Sequence, residues 1–401
     1  MRILHTSDWH LGRLFHNVHL TSDQAHILDD FVRYAADAKP DLVVIAGDLY
    51  DRSVPPPEAV ELLDEVLSKL VLEVGVPVVA IAGNHDSAER VGFASRLLDA
   101  GRMHLIGGVG QTRALTFDDA FGPVDVVPMP FASPEALRSF CGDDALRGFS
   151  DSMARQIALA TSGLVAGRRR VAVAHAFVTG GSESESERQL TVGGAGDVPA
   201  GLFAGFAYTA LGHLHRPQRV AGGDSGGGDS GGGDSSGAGQ NSNVGQVRYS
   251  GSLLPYSFSE VDHQKSVTLV EIDAAGATRV ELTQLRAKRG MRIVEGTLAA
   301  LLDAGRSDPA RDDYVLARVL DRRPVLDAMA QLRSIYPNTL HIERPELMTT
   351  GSLPSSGDHR KMAPIDLFAD FWEAVGDGSA LDTDQHDIVI DAISVVQQRA
   401  Q

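Results

Sequence analysis

Five times along this chain, a short apolar run ends in side chains of the kind that bind metal ions. The stretches are Asp8-Trp9-His10, Gly47-Asp48, Gly83-Asn84-His85-Asp86, Ala174-His175 and Gly212-His213-Leu214-His215. The preceding runs are rich in Val, Ile, Leu and Ala, as buried strands are. Ile3-Leu4-His5-Thr6 leads to Asp8, Asp41 to Ala46 to Asp48, and Val76 to Ala82 to Asn84. Arg170 to Ala174 leads to His175, and Phe206 to Leu211 to His213. Amphipathic segments alternate with these runs. One carries His26, Ile27, Leu28, Phe31, Val32, Tyr34 and Ala35, another spans Glu58 to about Val71 behind Pro55-Pro56-Pro57, and others run through Arg90 to Asp99 and Met153 to Ala160. Alternating β and α units imply an α/β fold, a layered sheet flanked by helices, with parallel strands and right-handed crossovers. In such sheets the carboxyl ends of the strands form one rim where ligands bind. The five stretches are therefore expected to meet there.

The converging groups are two carboxylates, one amide oxygen and five imidazoles, with Asp86 set apart as a residue that fixes a histidine or holds the turn. A mixed O/N set without thiolate suits Mn²⁺, Fe²⁺ or Zn²⁺ better than Ca²⁺ or a structural zinc site. The single cysteine, Cys141, excludes an intramolecular disulfide and any multi-cysteine zinc site. The set exceeds what one ion needs. Two ions sharing a carboxylate is the simplest reading, and such a pair serves phosphoryl displacement. Each piece alone is ordinary turn or loop chemistry; the ordered conjunction carries the inference.

The rest of the chain is read by composition. The apolar fraction of 43% over 401 residues allows sizeable cores. The N-terminal residues lack the pattern of a signal peptide, and no apolar run approaches the roughly 20 residues of a membrane span, so a cytoplasmic location is expected. A net charge of −17 argues against a surface that binds nucleic acid everywhere, without excluding a local or metal-assisted site. Residues 221–243 collapse into Gly, Ser and Asp, which reads as a solvated hairpin-loop extension. The expected organisation is a catalytic domain over 1–275 with that insertion, a small α+β capping domain over 278–345, a linker over 346–363 and a helical hairpin over 364–401. In the capping domain Val280-Glu281-Leu282, Arg292-Ile293-Val294, Tyr314 to Val319 and Leu340-His341-Ile342 are expected strands, with helices over Thr297 to Leu302 and Pro324 to Ile335. Ile365, Leu367, Phe368, Phe371 and Trp372 cluster on one face of the first terminal helix. From Glu346 to the end there are ten acids and three bases. The hairpin packs either on its own domain or on a partner.

The ordered series Asp8-x-His10, Gly47-Asp48, Gly83-Asn84-His85-Asp86, His175 and Gly212-His213-x-His215 resembles the calcineurin-like metallophosphoesterase superfamily. More narrowly, Ser7 to Gly12, Gly212 to Pro217 and Pro255-Tyr256-Ser257-Phe258-Ser259-Glu260 resemble the SbcD family, the nuclease subunits of bacterial SbcCD double-strand-break repair complexes. The resemblance implies a Mn²⁺-dependent DNA exonuclease and endonuclease. One ion would be held by Asp8, His10, Asp48 and His215, and the second by Asp48, Asn84, His175 and His213. His85 would serve the leaving oxygen and bind no metal. Some relatives carry a second substrate-contacting histidine three residues after the bridging aspartate; here that position is Asp51. The resemblance also implies a homodimer, with the helices near Glu58–Val71 and Arg90–Asp99 as candidate contacts, inside a heterotetramer with an SMC-like ATPase of the SbcC type. The terminal hairpin would grip that ATPase. A stand-alone phosphoesterase for a small phosphodiester, and a non-catalytic DNA-end tether, are the competing readings.

Overall fold

The computed structural model describes residues 1–187, 197–222, 245–345, 363–375 and 380–399. The chain divides into two units, Met1–Lys288 and Arg289–Gln401.

In the first unit, β1 (Arg2–Thr6) is followed by a two-residue hairpin of β2 (Leu14–Phe15) and β3 (Val18–His19). Helix Thr21–Ala38 then crosses to β4 (Leu42–Ile45), parallel to β1 as expected. Helix Pro57–Ser68 leads to β5 (Val78–Ile81), and the chain continues through β6 (Met103–Ile106), β7 (Leu115–Asp119) and β8 (Gly122–Met129). Helices Pro134–Cys141 and Phe149–Thr161 precede β9 (Arg169–His175) and β10 (Tyr208–Gly212). The remaining strands are β11 (Gln218–Ala221), β12 (Gln246–Tyr249), β13 (Val267–Ile272) and β14 (Thr278–Thr283).

These strands form two six-stranded sheets, ordered β14-β13-β1-β4-β5-β6 and β11-β12-β10-β9-β8-β7. The first is parallel from β1 to β6 and antiparallel at the β13-β14 edge, and the second has a parallel centre with an antiparallel strand at each edge. Strand periodicity explains the layering. Ile3, Val44, Val79 and Ile81 of one sheet share a buried cluster with Val124, Val126, Val171 and Val173 of the other. The alternate residues Val127, Ala172, Ala174 and Leu211 pack on the far side, around Met153, Ala160 and Phe203. With both faces covered, the strands read as unbroken apolar runs rather than alternating ones.

The structure corrects two expectations here. Val280-Glu281-Leu282 does not open the small domain: β14 pairs antiparallel with β13 along its whole length and belongs to the first sheet. The helix through Arg90 to Asp99 is broken into Ala88–Val91 and Ser95–Leu98. Between them Ala94 takes a left-handed φ of 54°, which no α-helix accommodates. The strands flanking the Gly/Ser/Asp insertion, β11 and β12, are antiparallel, as a hairpin requires. Nearly all of that insertion, the linker up to 362, and Gly376-Asp377-Gly378 lie outside the described residues.

In the second unit, β15 (Met291–Gly296), β16 (Tyr314–Val319) and β17 (Thr339–Glu343) form a parallel three-stranded sheet. Helices Leu298–Gly305 and Ala328–Ile335 cover it through Leu298, Leu301, Ala328 and Leu332, with Tyr336 just past the second helix in the same cluster. The second helix begins later than expected, after Asp327 in a left-handed conformation. Two further helices, Pro364–Val375 and Thr383–Arg399, follow. Among described residues, Leu367, Phe371, Trp372, Ile388 and Ile390 are exposed.

Candidate metal centre

All five strand-end stretches meet on one rim, drawn from both sheets: Asp8, His10, Asp48 and Asn84 follow β1, β4 and β5, while His175, His213 and His215 end or follow β9 and β10. Their approach depends on what precedes them. A Cβ at Gly83 would lie 2.1 Å from Asp48 Oδ1, and one at Gly212 would lie 1.9 Å from the Ala46 carbonyl. Glycine there permits neighbouring strand ends to close together. Asp8, His10 and Asp48 adopt φ of 55°, 46° and 50°, and His213 112°. Such backbone is costly for non-glycine residues and persists where surroundings over-determine it.

Two groups of ligand atoms result. Around Asp8, His10 and His215, the atoms lie within 4.8 Å of one another, with the two Nε2 atoms of His10 and His215 3.0 Å apart. Around Asp8, Asp48 and His175 they do the same. Asp48 reaches both sides: its Oδ2 is 3.6 Å from His10 Nε2 and 3.5 Å from His175 Nε2. Asn84 Oδ1 lies 2.9 Å from His175 Nε2 and 3.0 Å from His213 Nδ1. All these residues except Asn84, which is half-buried, are fully or almost fully buried.

The donor set fits a divalent cation. His175 Nδ1 donates to the Ala46 carbonyl at 2.9 Å, so the neutral ring carries its lone pair on Nε2. That lone pair faces the oxygens of Asn84 and Asp48, neither of which can donate. Asn84 turns its oxygen to both rings although its buried Nδ2 then has no partner. Converging acceptors of this kind require a proton or a cation between them. The electrostatics agree. Burial drives His10 well below its usual range and His213 to about 3, so both rings are neutral, as metal binding would require. Burial raises Asp8 to about 6, opposed by His175 and His215. Burial opposes ionisation of Asp48 too, but His175, then His10 and His85, hold it well below the carboxylate range. Against burial, Asp48 and Asp8 raise His175 to about 9 in the metal-free protein. A proton on His175 there stands where a cation would.

His85 sits apart from these two groups. Its backbone N–H donates to Asp48 Oδ1 at 2.9 Å, and its Nδ1 donates to the Asp51 carbonyl at 2.8 Å. Its ring meets that of His10 edge-on at 4.7 Å, and a third ligand-like group joins His10, Asp51 and His85. Asp51 is held by Arg13 at 2.8 Å. Asp86 accepts from the backbone N–H groups of Leu49, Tyr50 and Gly83 at 2.8–3.0 Å. It holds the turn and ties the Asp48 loop to the Asn84 loop.

Several supporting residues have no sequence signal of their own. Gln24 donates to the carbonyls of Trp9 and His10 and accepts from Gly12 N–H, fixing the first loop from a helix. Ser186, Glu260 and Lys265 gather at His215. Only Glu260 lies in a stretch that sequence patterns single out.

The profile of the calcineurin-like phosphoesterase family matches residues 1–132, and that of the type 5 capsule protein repressor C-terminal domain matches residues 287–375. The SbcD subunit of the nuclease SbcCD from Staphylococcus saprophyticus is 34% identical over 340 residues, covering 85% of this chain and 84% of that protein. Its counterpart from Staphylococcus epidermidis, also an SbcD subunit of the nuclease SbcCD, is 29% identical over 342 residues, covering 85% and 84%.

Proposed function

The chain belongs to the SbcD family of nuclease subunits within the calcineurin-like phosphoesterases, and from that premise we propose that it is the metal-dependent DNA nuclease subunit of an SbcCD-type complex in double-strand-break repair. It acts as an exonuclease on duplex ends and an endonuclease on single strands or hairpins, gated by an SbcC-type ATPase. The observation that carries this reading is the convergence of seven ligand-type residues, Asp48 among them, on the strand-end rim.

Asp8, His10, Asp48 and His215 would hold one ion, and Asp48, Asn84, His175 and His213 the second, with Mn²⁺ the family's usual metal. Such a pair supplies a nucleophilic water at neutral pH and neutralises charge on the scissile phosphate. The protein does the rest. The Asp51 carbonyl fixes His85 Nδ1–H, which leaves Nε2 as the atom that gains and loses a proton. Protonated there, His85 hands a proton to the leaving oxygen. Its backbone bond to Asp48 keeps this proton donor in register with the metal ligands.

The exposed apolar side chains of helix Pro364–Val375, with Phe368 stacked on Trp372 at 6.3 Å, support docking on the coiled-coil base of the ATPase. Val60, Leu72, Phe93 and Leu97, all exposed, support a homodimer within a heterotetramer. No described helix is long and apolar enough to cross a membrane. Location in the cytoplasm follows from the DNA substrate. The acidic chain, at −17, takes much of its DNA affinity from its partner.

Replacing His85 with Ala tests the assignment. Cleavage of linear duplex DNA with Mn²⁺ should fall by about 10²–10⁴-fold, the usual contribution of a general acid. Metal content, measured by elemental analysis, should stay at the wild-type level. A His85→Ala protein that cuts normally overturns the role.

A further inference from the structure

One ring nitrogen of His215 faces His10. The other is held by a buried network that the reaction described above does not use. Ser186 Oγ lies 2.6 Å from His215 Nδ1 and also bonds to Glu260 Oε1. Glu260 Oε1 itself is 3.4 Å from His215 Nδ1, and Glu260 is 1% exposed. Its second oxygen accepts from Lys265 Nζ at 2.5 Å and from the Tyr256 N–H at 3.3 Å. Lys265 Nζ also donates to the His215 carbonyl and to Ser252 Oγ, each at 2.8 Å.

The donor directions in this chain of bonds are forced. A carboxylate accepts only, so the one hydroxyl proton of Ser186 points to Glu260. Ser186 Oγ must then accept from His215, which places the ring proton on Nδ1. The lone pair of the neutral ring is left on Nε2, the atom 3.0 Å from His10 Nε2. Lys265 meanwhile fixes the backbone that carries the ring. A buried ion pair is a poor source of net stability, since desolvation of both charges offsets their attraction. Fixing the tautomer and aim of a metal ligand is a use that such a pair serves well.

We propose that Glu260, acting through Ser186 and countered by Lys265, is the positioning residue that holds His215 with Nε2 presented to the ion shared with Asp8 and His10. The inference rests on the metal assignment proposed above. Loss of the network weakens that ion and spares the one bound through Asn84, His175 and His213.

The test is Mn²⁺ titration of the full chain, following free Mn²⁺ by electron paramagnetic resonance. The Glu260→Gln/Lys265→Met variant removes both buried charges together, and Ser186→Ala removes only the relay at a half-buried position. Wild type should bind two ions. Each variant should lose about 10–100-fold in affinity for one ion, the usual effect of removing a partner behind a ligand, and keep the other. On a His215→Ala background the same changes should add nothing. A purely structural role would weaken both ions on every background. Wild-type affinity for both ions in the variants, or full additivity with His215→Ala, overturns this inference alone. A wild-type protein that takes up no Mn²⁺ overturns the metal assignment, and this inference with it.

Discussion

Adding one methyl group at Gly83 should disable the centre without replacing any candidate ligand. An ideal Cβ there lies 2.1 Å from Asp48 Oδ1, 2.4 Å from its backbone nitrogen and 2.7 Å from Cγ. Real Cβ contacts essentially never fall below 3.0 Å, so the carboxylate must withdraw by about 0.9 Å. It has little freedom to do so. Asp48 is buried, sits at a φ of 50° and receives the His85 N–H at 2.9 Å. Overpacking a tight site costs about 1–3 kcal/mol of stability. A misplacement of roughly 1 Å at a reacting centre costs about 10²-fold in rate, or about 2.7 kcal/mol of activation free energy. Gly83→Ala should therefore melt a few degrees lower by calorimetry, bind Mn²⁺ more weakly and cleave duplex ends about a hundredfold more slowly. Gly101→Ala is the control, because a Cβ there meets nothing within 4 Å. Wild-type metal affinity and cleavage in Gly83→Ala would refute the argument that Gly83 confines Asp48 to its working position.

Chelation and acid provide two further tests. Stripping metal with a chelator should abolish cleavage and lower the melting temperature; free Mn²⁺ at about a hundred times the dissociation constant should restore about 2.7 kcal/mol per site, and an unchanged melting temperature would count against a site formed only in the folded state. Asp119 tests the electrostatics of the sheet edge: Arg169 grips both its oxygens at 2.6 and 2.8 Å and, against the opposing effect of burial, holds its carboxyl well below the usual range. A depressed folded value contributes stability above the unfolded value of 3.8 that is lost as pH falls through the folded one. Asp119→Asn should cost up to about 3 kcal/mol in urea unfolding at pH 7. That gap should hold down to about pH 5 and shrink below it, and a gap independent of pH down to 3 would refute the ion-pair account.

The central strands and the strand-end position of the candidate ligand residues were legible for one physical reason. A strand buried on both faces is a run of apolar residues, and the first polar residues after it mark the rim. Val78 to Ile81 followed by Asn84, and Arg170 to Ala174 followed by His175, announce themselves in this way. Edge strand β7, Leu115–Asp119, carries no such run, since Thr116 and the two aspartates interrupt it. The break at Ala94 was invisible because alanine is the best helix former and gives no warning of a left-handed turn. The supporting network was hidden by distance along the chain. Gln24 meets Tyr256 across 232 residues, and Glu260 meets Ser186 across 74. Long-range hydrogen bonds of this kind leave no periodicity or spacing to detect.

The division of the ligands between two sheets has a consequence for the life of the chain before it is finished. His10 and His215 are 205 residues apart, Asn84 and His213 are 129 apart, and Asn84 and His175 are 91 apart. Each ligand set takes members from both sheets, so a chain with only one sheet formed holds neither set complete. With one cysteine, the protein has no internal disulfide to clasp such distant segments early. A metal pair held by these residues would be a clasp that closes only once both sheets are in place. A half-made or locally unfolded nuclease would then be inert toward DNA, and its activity would serve as a proofreading signal that the sandwich is whole.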